Sequence, residues 1–256
     1  IVKSYNLRGF SFREFINLQT GNSFQPYTLD EILRNHEHII KQILPKVSPM
    51  KYFQDYLHHG FYPFFLENRN FTENLLKTMN MMTEVDILLI KQIELKYLTK
   101  IKRLFYQLAV EGAKAPNVSQ LAEEINTSRA TVMNYIKYLA DARLINMIYP
   151  TGQEFPKKPS KVMMHNSNLM YAIYPIQIDK QEVMETFFVN SLWKDHKVSQ
   201  TGKDHYFIVD DEKKFRICDA QSPNKVRNNP DIIYARYNTE VGKDNRIPLW
   251  LLGFLY

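Results

Sequence analysis

The sequence predicts an α+β protein: a helical N-terminal region over residues 1–97, a winged helix-turn-helix over 98–165, and a C-terminal α/β domain over 166–256. Three observations predict it. Apolar residues recur at helical spacing, behind recognisable caps, from Ser11 to Gly112. Residues 117–149 then read helix, tight turn, helix, short strand. After His165 two further helical stretches give way to segments of period two.

Ser11 followed three residues later by Glu14 forms a capping box, so a helix starts there; Thr28 with Glu31 opens a second that runs to Pro45. Ser48-Pro49 opens a third, with proline at its first position, ending at Gly60. Phe61 to Phe65 is an aromatic turn. From Thr72 to Gly112 the pattern stays helical, with Leu75, Met79, Met82, Val85 and Leu89 on one stripe and Leu98, Ile101, Phe105 and Leu108 on another. Met79, Met81 and Met82 offer an adaptable partner surface, but their spacing favours core packing.

In the helix-turn-helix, Val118, Leu121, Ala122 and Ile125 form one apolar face, with Ser119 placed to cap it. A second helix begins at Ser128, with Val132, Tyr135, Ile136 and Leu139 inward. Leu144 to Tyr149 is the first strand of the wing, and Val162 to Met164 its return. Beyond it, SNLMYAIYP and Asp179 to Lys194 are helices; HYFIVD, KFRIC, DIIYARY and IPLWLLGFLY read as strands. Helices followed by several strands give the last domain its class.

The net charge of +6 over 256 residues raises a nucleic-acid reading. In that reading Arg129, Thr131, Asn134 and Lys137 face the groove of double-stranded DNA, and Lys157, Lys158 and Lys161 at the wing tip meet phosphates. Against it, Arg129, Lys137 and Arg143 are balanced by Glu123, Glu124 and Asp141 over residues 115–149. Phosphate binding needs an excess of cations. The single cysteine, Cys218, excludes an internal disulfide and fits a reducing, cytoplasmic setting. No stretch has the length of a membrane span. The opening Ile-Val-Lys reads as a cut inside a longer protein.

Catalytic motifs are few. None of the eight glycines opens a GxxxxGK[ST] loop, and His36, His38, His58 and His59 lack a second liganding pair for zinc. A PD-(D/E)XK nuclease uses carboxylates for a divalent metal and a lysine beside them. Pro230-Asp231 supplies the dipeptide, Asp219 stands on the KFRICDAQ strand, and Glu185 is a third acid on the preceding helix. No lysine follows Asp219 at the required step, and Glu240 with Lys243 has one residue too many between them. These three acids are weak candidates, and the residues favour a nuclease-like fold without the chemistry.

LRGFSFREF at the start, YLHHGFYP, the helix-turn-helix ending in ADARLIN, and the terminal IPLWLLGFLY together resemble one family. It is the bacterial and archaeal set, common in Bacteroidetes, in which an AAA-type P-loop ATPase domain precedes a C-terminal region. The resemblance implies a winged helix and a restriction-endonuclease-like domain here. SFREF would leave the ATPase domain, which would bind ATP and Mg²⁺; no cofactor or metal is implied for this chain. Where relatives carry a strand glutamate followed by glycines and a lysine, this chain has Arg216-Ile217-Cys218-Asp219-Ala220. The expected function is a non-catalytic effector or interaction region whose partner is its own ATPase domain. The alternatives are a DNA-binding winged helix and a degenerate nuclease.

Overall fold

A computed structural model describes residues 8–67, 70–90, 93–200, 206–221 and 229–256. Helices α1 (Phe12–Thr20) and α2 (Leu29–Ile43) open on the two predicted capping boxes. In each, the hydroxyl accepts from the N3 amide while the glutamate accepts from the cap's own N–H. Helix α3 (Pro49–Asp55) runs into a π-helical turn, Tyr56–Gly60. Such a turn strands backbone groups, and the buried Asn168 answers them. Its amide donates to the carbonyls of Tyr56 (3.0 Å) and Leu57 (2.9 Å), and its oxygen accepts from the Phe61 N–H (2.9 Å).

Helix α4 (Phe71–Met82) continues into a second π segment, Thr83–Ile90, and this corrects the predicted stripe. Leu75 and Met79 are buried, but Met81 and Val85 are exposed. The wider π turn rotates the face, so Thr83 and Ile87 take the inward positions instead. The side chain of Leu89 lies outside the described residues.

Three helices and a hairpin follow in the predicted order: α5 (Leu98–Glu111), α6 (Val118–Glu124), α7 (Arg129–Asp141), β1 (Ile145–Ile148) and β2 (Lys161–Met164). The strands are antiparallel, with Ile145 opposite Met164. The cap of α6 is Asn117, whose side chain accepts from the Gln120 N–H; Ser119 lies inside the first turn, contrary to expectation. Ser128 caps α7, and Val132, Tyr135, Ile136 and Leu139 are buried as predicted.

Helices α8 (Ser167–Ile173) and α9 (Lys180–Leu192) precede a five-stranded sheet. Its strands β3 (Val198–Gln200), β4 (Phe207–Val209), β5 (Lys213–Asp219), β6 (Ile232–Tyr237) and β7 (Arg246–Pro248) lie in that order. The pairs β3–β4 and β4–β5 are antiparallel; β5–β6 and β6–β7 are parallel. Helix α9 is buried without a break from Thr186 to Leu192, as a helix covered on all sides must be. Phe188 packs on the sheet rings Phe207 (5.3 Å) and Phe215 (5.2 Å), and Phe187 on Phe53 of α3 (4.9 Å).

The terminal run, read as a strand, is corrected: β7 stops at Pro248, and Leu249–Phe254 is a 3₁₀ helix with all six residues buried. It packs under α1, where a Cβ on Gly253 would lie 2.5 Å from that of Phe12, so no larger residue fits. One buried cluster therefore runs from Phe12 through Leu139 and Phe188 to Phe254. The protein is α+β, with a helical N-terminal region and a C-terminal sheet domain. No helix among the described residues is long and apolar enough to cross a membrane.

Candidate functional site

The predicted reader surface is divided by its own contacts. Arg129 and Asn134 are exposed on α7. Thr131 shares a 2.8 Å hydrogen bond with Ser128 at the cap, and Lys137 pairs with Asp141 one turn on. Lys157 and Lys158 are exposed in the hairpin loop. Lys161 is not at the wing tip. It begins β2, its side chain is 12% exposed, and its ammonium lies 2.7 Å from Glu185 on α9. Strand alternation turns it inward, and the packed α9 supplies the counter-charge.

The nuclease candidates do not assemble. Glu185 accepts from Lys161 and from the Gln181 amide (3.1 Å), so its carboxylate is occupied. Asp219 ends β5. Burial pushes its carboxyl up, but hydrogen bonds from the Gln221 N–H and the Asn238 amide outweigh this and hold it below the usual range. Asp231 is an exposed turn residue just before β6. Because β5 and β6 run parallel, Asp219 stands beside Tyr237 while Asp231 adjoins the Lys214–Ile232 end. Six register steps at about 3.3 Å each, from Tyr237 back to Asp231, separate them by roughly 20 Å. Among the described residues no three His, Cys, Asp or Glu side chains are grouped to hold a metal ion.

Sequence reasoning missed a cavity of about 220 Å³ where the three regions meet. Arg8 comes from the lead into α1, Arg143 and His165 flank the hairpin, Trp193 ends α9, and Tyr256 ends the chain. Both guanidinium groups lie over the Trp193 indole, at 5.0 Å for Arg8 and 5.4 Å for Arg143. Arg143 occupies the left-handed region at φ 57°, which turns the chain from α7 into β1. His165 is fully buried. Burial first, then the nearby Arg143 and Arg8, lower its pKa to about 3, so the imidazole is neutral. Its Nδ1 lies 3.1 Å from the Asn146 Oδ1, and the amides of Asn146 and Asn190 donate to its carbonyl. Burial raises the Tyr256 phenol to about 12.

The hairpin is also tied to the sheet. The Gln200 N–H donates to the Tyr149 carbonyl (3.0 Å), and Thr151 and Ser199 share a hydroxyl hydrogen bond (3.1 Å). With the Lys161–Glu185 pair, these contacts clamp the helix-turn-helix unit to the domain that follows it.

Residues 50–180 match the family described as a domain of unknown function, DUF8612. Over 148 residues the chain is 26% identical to uncharacterized protein MJ1637 of Methanocaldococcus jannaschii, covering 56% of this chain and 31% of that protein. The chain thus spans about a third of that relative's length. No solved structure matches. The matched stretch includes Arg143 and His165, while Arg8, Trp193 and Tyr256 complete the same cavity from outside it. With just over half of its length covered, from α3 to the first residue of α9, the chain belongs to the DUF8612 family.

Proposed function

We propose that this chain is the non-catalytic interaction region of a longer, cytoplasmic AAA-type ATPase, in which the helix-turn-helix unit acts as a joint between modules. The observation that carries the reading is the clamp across the hairpin: Lys161 to Glu185 and Tyr149 to Gln200. It turns reader-unit groups toward the protein's own sheet domain. The separation of Asp219 from Asp231 and the engagement of Glu185 support a region that performs no reaction. The motif resemblance supports the ATPase context, and a relative of which the match covers only 31% leaves room for it. Duplex DNA as a partner is the second reading; it retains the exposed Arg129, Asn134, Lys157 and Lys158.

The reading frame upstream of Ile1 is expected to encode a GxxxxGK[ST] loop, and this chain added in trans is expected to change that segment's ATP turnover. A start codon directly before Ile1, or turnover indifferent to the chain, contradicts the reading.

A further inference from the structure

We infer that the face of the C-terminal sheet turned away from α9 is a binding surface for single-stranded nucleic acid, with Lys214, Arg216, Arg236 and Arg246 on its phosphates. The inference goes beyond the joint role and uses no residue of the helix-turn-helix unit. Strand alternation defines the face. Phe215 packs on Phe188 of α9, and the Tyr237 hydroxyl donates to Gln181 of the same helix (3.1 Å), so the alternate residues of β5 and β6 point the other way. Parallel register sets these in three rows across β5, β6 and β7: Lys214–Ile232, Arg216–Tyr234–Arg246 and Cys218–Arg236–Pro248. Of these eight residues four are cations and none is an acid.

The spacing is close. With strands about 4.8 Å apart and two residues advancing about 6.6 Å, the Arg236 Cα lies roughly 8 Å from those of Arg216 and Arg246. The Cys218 thiol records it: burial raises its pKa, and Arg236, Arg216 and Arg246 each pull it back. Among the described residues none of the four cations has a carboxylate within ion-pair distance, whereas Lys213, on the α9 side, pairs with Asp30 and Glu212. The acid that senses Arg236, Asp219, belongs to the α9 face and is held by the Gln221 N–H and the Asn238 amide. Like charges so near one another repel, and a polyanion laid across the face supplies the missing charge.

The side chains favour nucleic acid over an acidic peptide. Three of the four cations are arginines, whose planar forks match phosphate oxygens in pairs. Arg216 lies over the partly exposed Tyr206 ring (5.9 Å), which offers an aromatic surface beside the cations. Bases of a single strand are free to stack on such a ring, whereas a duplex keeps them paired inside.

Fluorescence anisotropy of the intact chain with labelled oligouridylate and oligothymidylate tests this, with the matching duplex and an oligoglutamate peptide as competitors. One or both single strands are expected to saturate below about 10 µM at roughly 0.05 M salt, with a log–log salt slope of about −3 for four cations. The stronger of the two identifies the preferred sugar, and both competitors are expected to displace it at least tenfold less well. Arg216→Gln and Lys214→Gln are each expected to weaken binding about fivefold to tenfold and to reduce the slope by about 0.7. Lys214 is exposed, so its variant keeps the test decisive if the Arg216 variant does not fold. Lys77→Gln, the same charge change on α4, is expected to leave affinity unchanged. Absence of saturable binding by both strands at about 100 µM, equal competition by oligoglutamate or duplex, affinity indifferent to Lys214→Gln, or an equal loss in Lys77→Gln overturns the inference.

Discussion

Truncating Phe254 to alanine is expected to destabilise the protein by about 4 kcal/mol, the usual range for removing a fully buried ring. Phe254 is 0% exposed and meets Phe24 (5.8 Å), Trp250 (5.5 Å) and Phe12 (6.3 Å). Its carbonyl accepts from the Tyr27 N–H at 2.9 Å, so it joins the last segment to the lead into α2. These neighbours come from both ends of the chain, and the rigid 3₁₀ turn cannot collapse to fill the space. The loss is a large share of the roughly 5–15 kcal/mol that holds a typical domain. Denaturant titration followed by far-UV circular dichroism and by tryptophan emission measures it. Coincident transitions shifted together are expected from one shared core. A change below about 1 kcal/mol, or one probe shifting without the other, is inconsistent with that core.

Lowering the pH from about 7 to 4.5 is expected to remove about 3 kcal/mol of stability through His165 alone. The ring has a pKa of about 3 in the fold against 6.5 in the unfolded chain. Between those values the unfolded chain takes up a proton that the native state refuses. The contribution is therefore intact above pH 6.5 and is lost progressively as pH falls toward 3. His59, also lowered by burial, acts in the same direction, while Glu182, raised by burial, opposes it. Comparing the native chain with His165→Asn isolates the one group. The variant loses packing at every pH, but its stability is expected to fall less steeply between pH 6.5 and 4.5. Parallel pH profiles for the two proteins contradict a neutral, buried His165.

Local signals carried most of the architecture. Ser11, Thr28 and Ser128 stood at fixed offsets from groups they bind, and the period of α5 and α7 matched the faces they bury. The misreadings fall where period loses meaning. IPLWLLGFLY is buried on every side, so its apolar run carries no alternation to tell a strand from a helix. The π segment after Met82 changes the residues per turn, which no fixed template follows. The three-residue strand β3, Val-Ser-Gln, is too short and polar to announce itself. Among the site residues, nearness to a loop suggests a wing-tip Lys161, whereas its position at the start of β2 turns it inward. The cavity was illegible for a different reason: residues 8, 143, 165, 193 and 256 share no spacing, and only the joining of both ends of the chain brings them together.

Fluorescence anisotropy of labelled duplex DNA across a salt series bears most directly on whether the helix-turn-helix unit is a joint or a reader. As a joint, it is expected to show no saturable binding below about 10 µM at roughly 0.15 M salt, with only weak, non-specific association at lower salt. Submicromolar binding with a steep salt slope, weakened by Arg129→Ala or Lys157→Ala, would contradict the account.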